Sequence, residues 1–213
     1  MSSDVLVTTP AQRQTEPHAE AVSRNRRQQA TFRKVLAAAM ATLREKSYAD
    51  LTVRLVAARA QVAPATAYTY FSSKNHLIAE VYLDLVRQVP CVTDVNVPMP
   101  IRVTSSLRHL ALVVADEPEI GAACTAALLD GGADPAVRAV RDRIGAEIHR
   151  RITSAIGPGA DPGTVFALEM AFFGALVQAG SGTFTYHEIA DRLGYVVGLI
   201  LAGANEPSTG GSE

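Results

Sequence analysis

The stretch that most constrains this chain runs from Leu51 to Leu77, LTVRLVAARAQVAPATAYTYFSSKNHL. Val53, Val56, Ala57 and Ala60 recur at i, i+3, i+4 and i+7, the spacing of one narrow apolar helix face. Thr52 precedes them as an N-cap. Gln61, Val62 and Ala63 form a tight connection. Pro64 then opens a second helix, because proline at the first helical position gives up only an N–H that has no intrahelical partner. The same proline keeps Ala63 out of the helical region. The second helix ends near Phe71, with Ala67 and Phe71 on its inner face. Ala65, Thr66, Tyr68, Thr69 and Tyr70 are left pointing elsewhere. Two tyrosines and two threonines are a poor core. They suit DNA, since hydroxyls bond phosphates and the rest of each side chain meets base edges or thymine methyls. The pattern therefore predicts a helix-turn-helix, followed by a third helix capped by the Ser72-Ser73 pair. Lys74 falls in the first turn of that helix, where its charge opposes the dipole by roughly a few tenths of a kcal/mol. A phosphate over the same helix end would explain it, held by amide donors and the ammonium together. A solvated lysine is the plain alternative.

The stretch resembles the DNA-binding domain of TetR/AcrR-family transcriptional regulators. The likeness is carried by Leu51-Thr52-Val53-Arg54, Val56 to Ala60, Val62, Pro64-Ala65-Thr66, Tyr68, Tyr70-Phe71 and Ser73-Lys74. With the preceding helix it covers about Arg26 to Val89. Four positions depart from the family pattern. Gln61 replaces a turn glycine, Ala63 a serine cap, Ala67 a leucine and Leu55 an acid. The missing cap weakens the second helix by roughly 1 kcal/mol. None of the four removes a DNA-facing group. The resemblance implies that Thr52 and Arg54 begin the first motif helix, with Arg54 able to donate two bonds to guanine. It also implies that Pro64, Ala65, Thr66 and Thr69 lie against the groove, while Tyr68, Tyr70 and Lys74 mainly hold phosphates.

Charge supports this division. Residues 24–89 hold 11 Lys and Arg against 4 Asp and Glu, a net +7, whereas residues 90–213 hold 8 against 14, a net −6. A basic head on an acidic body fits a polyanion-binding unit on a carrier domain. The 213 residues suffice for one large or two small domains with a substantial core. Cys91 and Cys124 are too few and too far apart for a disulfide framework or a zinc site, and read as reduced thiols in a cytoplasmic protein. No apolar run is expected to reach the roughly 18 residues of a membrane helix. The N-terminus lacks the apolar block of a secretory signal.

The rest of the chain reads as helices. Residues 1–23 are expected to be a disordered polar tail, and 24–89 the head, with its motif at about 52–71. Arg24, Arg26 and Arg27 read either as a basic arm along the DNA backbone or as the start of a solvated helix. Phe32, Leu36, Ala39, Met40 and Leu43 form the stripe of a first helix from about Arg26 to Lys46. A helix from Lys74 to about Val89 joins the two units. Pro90, Pro98 and Pro100 mark a linker over 90–100. Helices follow near 101–115, 117–130, 135–156, 163–181 and 185–203, within a bundle spanning 101–205, and a short tail closes the chain at 206–213. No alternating strand pattern occurs, so the expected class is all-α.

No catalytic constellation is visible: no GxSxG, HExxH, P-loop or dinucleotide fingerprint, and no metal-ligand spacing among the five histidines. The expectation is a non-enzyme without cofactor or metal. By resemblance the body holds an effector cavity, for which His109, Val113, Cys124, Leu128, Met170, Phe173 and Tyr186 are candidate linings. The last two helices carry Phe166, Met170, Phe173 and Val177 on one side, and Leu193, Val196, Val197, Ile200 and Leu201 on another. That is more apolar surface than one thin bundle uses. The resemblance implies that they pair two subunits. The reading is a homodimeric transcriptional regulator, most simply a repressor. It binds a palindromic double-stranded operator and is released by a small hydrophobic effector. A helical small-molecule or protein-binding module with a non-functional DNA head is the rival, motivated by the four departures.

Overall fold

A computed structural model describes the backbone of residues 16–92 and 94–204, and side chains from residue 25 onward. Within these residues every regular element is helical. The head comprises α1 (Glu16–Leu43), α2 (Val53–Arg59) and α3 (Pro64–Tyr70), followed by the long α4 (Lys74–Gln88). The body comprises α5 (Met99–Ala111), α6 (Pro118–Asp130), α7 (Pro135–Ile156), α8 (Pro162–Gly180) and α9 (Tyr186–Ala204). α1 begins at Glu16, earlier than the expected Arg26, so part of the stretch expected as a polar tail is helical. Pro17 does not prevent this, because proline is tolerated in a first helical turn. Residues 1–15 of the tail expected at 1–23, and the tail expected at 206–213, lie outside the described residues.

The head closes on a small core. Val35, Leu36, Ala38, Ala39 and Leu43 of α1 are buried, with Phe32 and Met40 half-buried beside them. All four stripe residues of α2 are buried, as are Ala67 and Phe71 below α3. The Phe32 ring stacks on Phe71 at 5.1 Å, pinning α1 to the end of α3. Between α2 and α3 the chain turns through Gln61 at φ +52°, the left-handed region that costs a non-glycine residue roughly 1–2 kcal/mol. Its side chain is exposed, so replacement loses no packing. Gln61→Gly is expected to raise stability by about 0.5–1 kcal/mol, the relief of strain less the extra freedom of the unfolded chain. Urea unfolding of the two proteins checks it, and a fall in stability would show the turn is unstrained.

α4 belongs to both units. Leu77, Ile78, Ala79, Val81, Tyr82, Leu83 and Val86 are buried, which leaves it apolar on most sides, as befits a helix packed between α1 and the α6–α7 pair. Polar contacts fix its register against α7. Ser73 caps α4 by accepting from the His76 N–H (3.0 Å), and its hydroxyl donates to Asp134 (2.9 Å), itself the N-cap of α7. Glu80, 7% exposed, pairs with Arg143 of α7 and with His76. Burial opposes its charge, but the His76 and Arg143 hydrogen bonds outweigh that and hold its carboxyl below the usual range. At the far end Arg151, 4% exposed, donates to the Val89 carbonyl at 2.7 Å and to Glu147 at 2.8 Å. A fourth contact, Arg44 with Glu117, ties the end of α1 to the start of α6.

The body helices start where the sequence places prolines and caps. Pro118, Pro135 and Pro162 stand first in α6, α7 and α8, and Asp134 and Asp161 accept from amides of the first turns of α7 and α8. Short 3₁₀ turns at Leu112–Val114 and Gly131–Ala133 finish α5 and α6. α8 corrects one expectation: by length and composition it is apolar enough to cross a membrane, yet only 22% of its apolar window is buried inside the chain. Phe166 (61% exposed), Met170 (53%) and Val177 (44%) face outward on it. On α9, Tyr195 and Leu199 are exposed, while Leu193, Val197 and Leu201 of the expected outer set are buried in the core.

Candidate nucleic-acid interface and ligand cavity

The outer face of α3 is open. Pro64, Ala65, Thr66, Tyr68 and Thr69 are exposed, over the sealed Ala67 and Phe71. The Thr69 hydroxyl donates back to the Thr66 carbonyl at 2.7 Å, which leaves its oxygen free to accept. Thr52 caps α2 by accepting from the Leu55 N–H at 3.1 Å, so its own O–H is still available to a phosphate. Arg54, one turn into α2, is exposed and makes no ion pair or hydrogen bond among the described residues. Ala63 offers α3 no side-chain cap, as its sequence implies. Arg26, Arg27, Arg33 and Lys34 are exposed along α1. A cationic surface thus flanks a short helix studded with hydroxyls.

Two expected contacts sit differently. Tyr70 is half-buried, its ring 6.1 Å from Phe32 in an edge-on contact, because the last turn of α3 rotates it toward α1. It is a core-edge residue rather than a free phosphate ligand. Lys74 is engaged as well. Its ammonium donates to the Tyr48 carbonyl (3.2 Å), approaches that of Ala49 (3.4 Å) and lies 4.5 Å from the centre of the Tyr48 ring. The lysine steadies the turn leading into α2, and at most one of its three N–H groups is left for an outside partner.

The body contains a cavity of about 330 Å³ walled by α4, α6, α7, α8 and α9. Cys124, Leu128, Phe173 and Tyr186, expected from the sequence, line it. His109 and Val113 do not. They line a separate surface hollow with Leu85 and Val89. Nor does Met170, which points outward. Phe166, Met170 and Phe173 share one side of α8, but only the later part of that side passes over the cavity, so Phe173 lines it while Phe166 and Met170 face out. Sequence reasoning missed Tyr82, Gly121, Thr125, Arg141 and Ile144. A tyrosine among the buried Leu, Ile and Val of α4 was the available signal for the first. Gly121 is needed where it stands, since a Cβ there would lie 2.4 Å from the Tyr186 hydroxyl oxygen. Burial pushes the Cys124 thiol up to about 12, so it stays protonated and serves as a small apolar wall. No group of three or more His, Cys, Asp or Glu is placed to hold a metal among the described residues.

A helix-turn-helix head on a helical body with a lined cavity defines a DNA-binding transcriptional regulator with a ligand-binding domain. Residues 35–81 match the family model described as bacterial regulatory proteins, tetR family. TetR-family regulators are DNA-binding proteins rather than enzymes. Solved structures share the whole architecture. A TetR transcriptional regulator from Rhodococcus sp. RHA1 aligns at TM-score 0.68 and 21% identity, over 83% of this chain and 98% of that one. The fatty acid degradation regulator FadR from Bacillus halodurans aligns at 0.57 and 10%, over 78% and 97%. FadR from Bacillus subtilis, solved in complex with stearoyl-CoA, aligns at 0.55 and 14%, over 81% and 98%. At these identities the likeness establishes the fold alone.

Proposed function

We propose that this chain is a homodimeric, effector-released repressor of a palindromic operator, working in the cytoplasm. The single observation that carries the reading is the open hydroxyl face of α3 beside the unpaired Arg54. Residues 24–89 form the DNA-binding unit, 90–100 the link, and 101–205 the effector and dimerisation unit. Each α3 enters a major groove, and the two-fold axis of the dimer sets the half-site spacing. The outward Phe166, Met170, Val177, Tyr195 and Leu199 support pairing through α8 and α9, because an exposed apolar face of this kind calls for a cover. The largely apolar cavity supports a hydrophobic effector. The stearoyl-CoA complex of the Bacillus subtilis relative, on a similar fold, points the same way. Because α4 supplies one cavity wall and carries the head, a ligand that favours one seating of α4 alters head spacing by its differential affinity for the two seatings.

Arg54→Ala is expected to cost about 1–3 kcal/mol of operator binding and to relax the preference at one base pair. Lys74→Ala should weaken all sequences alike, chiefly by loosening the turn it holds. Binding of both variants to a selected operator and to random DNA across a salt titration tests this. If Arg54→Ala keeps full preference, the groove assignment is wrong. If the wild type itself shows no preference over random DNA, the rival reading of a helical binding module with a silent head takes its place.

A further inference from the structure

The cavity is apolar apart from a few groups, and two of these stand out. Tyr82 is 4% exposed, and its hydroxyl is buried without a hydrogen-bond partner. Tyr82 lines the cavity together with Cys124 and Tyr186. Buried hydroxyls are ordinarily bonded, so a lone one on a residue that lines a ligand-sized hollow is a group that a ligand atom would satisfy. Burial raises the pKa of this hydroxyl, so it is a protonated donor. Arg141 is the second group. It lines the cavity, lies exposed at its rim and makes no ion pair among the described residues.

The helix register brings the two together. α4 and α7 run side by side in one direction, with Ser73 against Asp134, Glu80 against Arg143, and Val89 against Arg151. On that scale Tyr82 stands near Ile144, about one turn (~5 Å) along from Arg141. Both polar groups therefore belong to the α4–α7 wall. The facing wall, from Leu128, Phe173 and Leu176, is apolar.

We infer that the cavity takes an anionic amphiphile, its head against the α4–α7 wall between the Tyr82 hydroxyl and the Arg141 guanidinium, its chain among Leu128, Phe173 and Leu176. This rests on the effector reading above and narrows it from any hydrophobe to an acid. Carboxylate and phosphate heads share the required chemistry, two oxygens that accept from a hydroxyl and a guanidinium.

Calorimetric titration of the full-length protein with decanoate, decyl phosphate, decanol and decylamine tests it, repeated with hexyl and tetradecyl members. Decanoate or decyl phosphate should bind at least about tenfold more tightly than decanol, and decylamine most weakly. The stronger of the two acids identifies the head. Arg141→Gln should remove most of the acid preference and leave decanol unchanged. Tyr82→Phe should weaken the acid by about tenfold while raising the melting temperature of the free protein, because it removes a buried hydroxyl that has no partner. Equal binding of acid and amine, or an acid preference that survives both substitutions, overturns the assignment. Decanol binding in that case leaves the hydrophobic-effector reading standing. No binding by any member at any chain length overturns both.

Discussion

Replacing Phe166 or Met170 with glutamate is expected to yield a monomer that binds operator DNA at least about a hundredfold more weakly, a loss of roughly 2.7 kcal/mol or more. Both side chains are more than half exposed on α8, so a charge there costs the isolated subunit little. In a dimer packed on this face, the same charge would be buried opposite an apolar partner surface, where an unpaired ion is strongly unfavourable. A Cβ added at Gly174 or Gly198 would meet nothing within 4 Å, so this side of α8 and α9 is open to a neighbour. The DNA effect follows from valency. Two linked heads engage a palindrome with a high effective concentration for the second, and a monomer forfeits it. Light scattering coupled to size exclusion reads the mass, and a fluorescence titration reads the affinity. A glutamate variant that stays dimeric would place the subunit contact elsewhere.

The second large effect falls on stability. Arg151→Ala is expected to destabilise the fold by about 3 kcal/mol, the lower end of the cost of breaking a buried ion pair. The guanidinium satisfies the Val89 carbonyl (2.7 Å), reaches toward the Arg87 carbonyl (3.4 Å) and pairs with Glu147. These carbonyls belong to the C-terminal end of α4, which has no intrahelical donors for them. Glu147 retains Arg150 as a partner, which softens the loss. Arg151→Lys should recover only part of it, because an ammonium cannot reproduce the planar fork. Urea unfolding of the three proteins decides. If alanine changes stability by less than about 1 kcal/mol, solvent reaches that helix end and Arg151 is dispensable.

Much of the fold was legible because local rules and packing agree. The i, i+3, i+4, i+7 apolar set of α2, the proline at the start of α3 and the proline-aspartate signals before α7 and α8 each mark a boundary by a local mechanism. The strain at Gln61 was equally readable from a residue standing where the turn wants glycine. Contacts between elements distant in sequence were not. Nothing near Lys74 announces that its ammonium turns back to Tyr48, and nothing near Arg151 announces the end of α4. The cavity shows the same limit. Spacing reports which residues share a helix side, but only the docking of α4, α6, α7 and α8 decides whether that side meets a hollow, a neighbour or open solvent. Phe173 and Met170 sit one turn apart and met different fates for that reason.

The shared helix has a consequence for engineering. Heads and bodies of this architecture look interchangeable, yet the seam does not run between them. α4 packs against α6 and α7 as well as against α1, and Ser73 is spliced to Asp134. A chimera that takes α1 to α3 from another regulator must therefore keep this chain's α4 with its own α6 and α7, and redesign only the short stretch where the foreign head meets it.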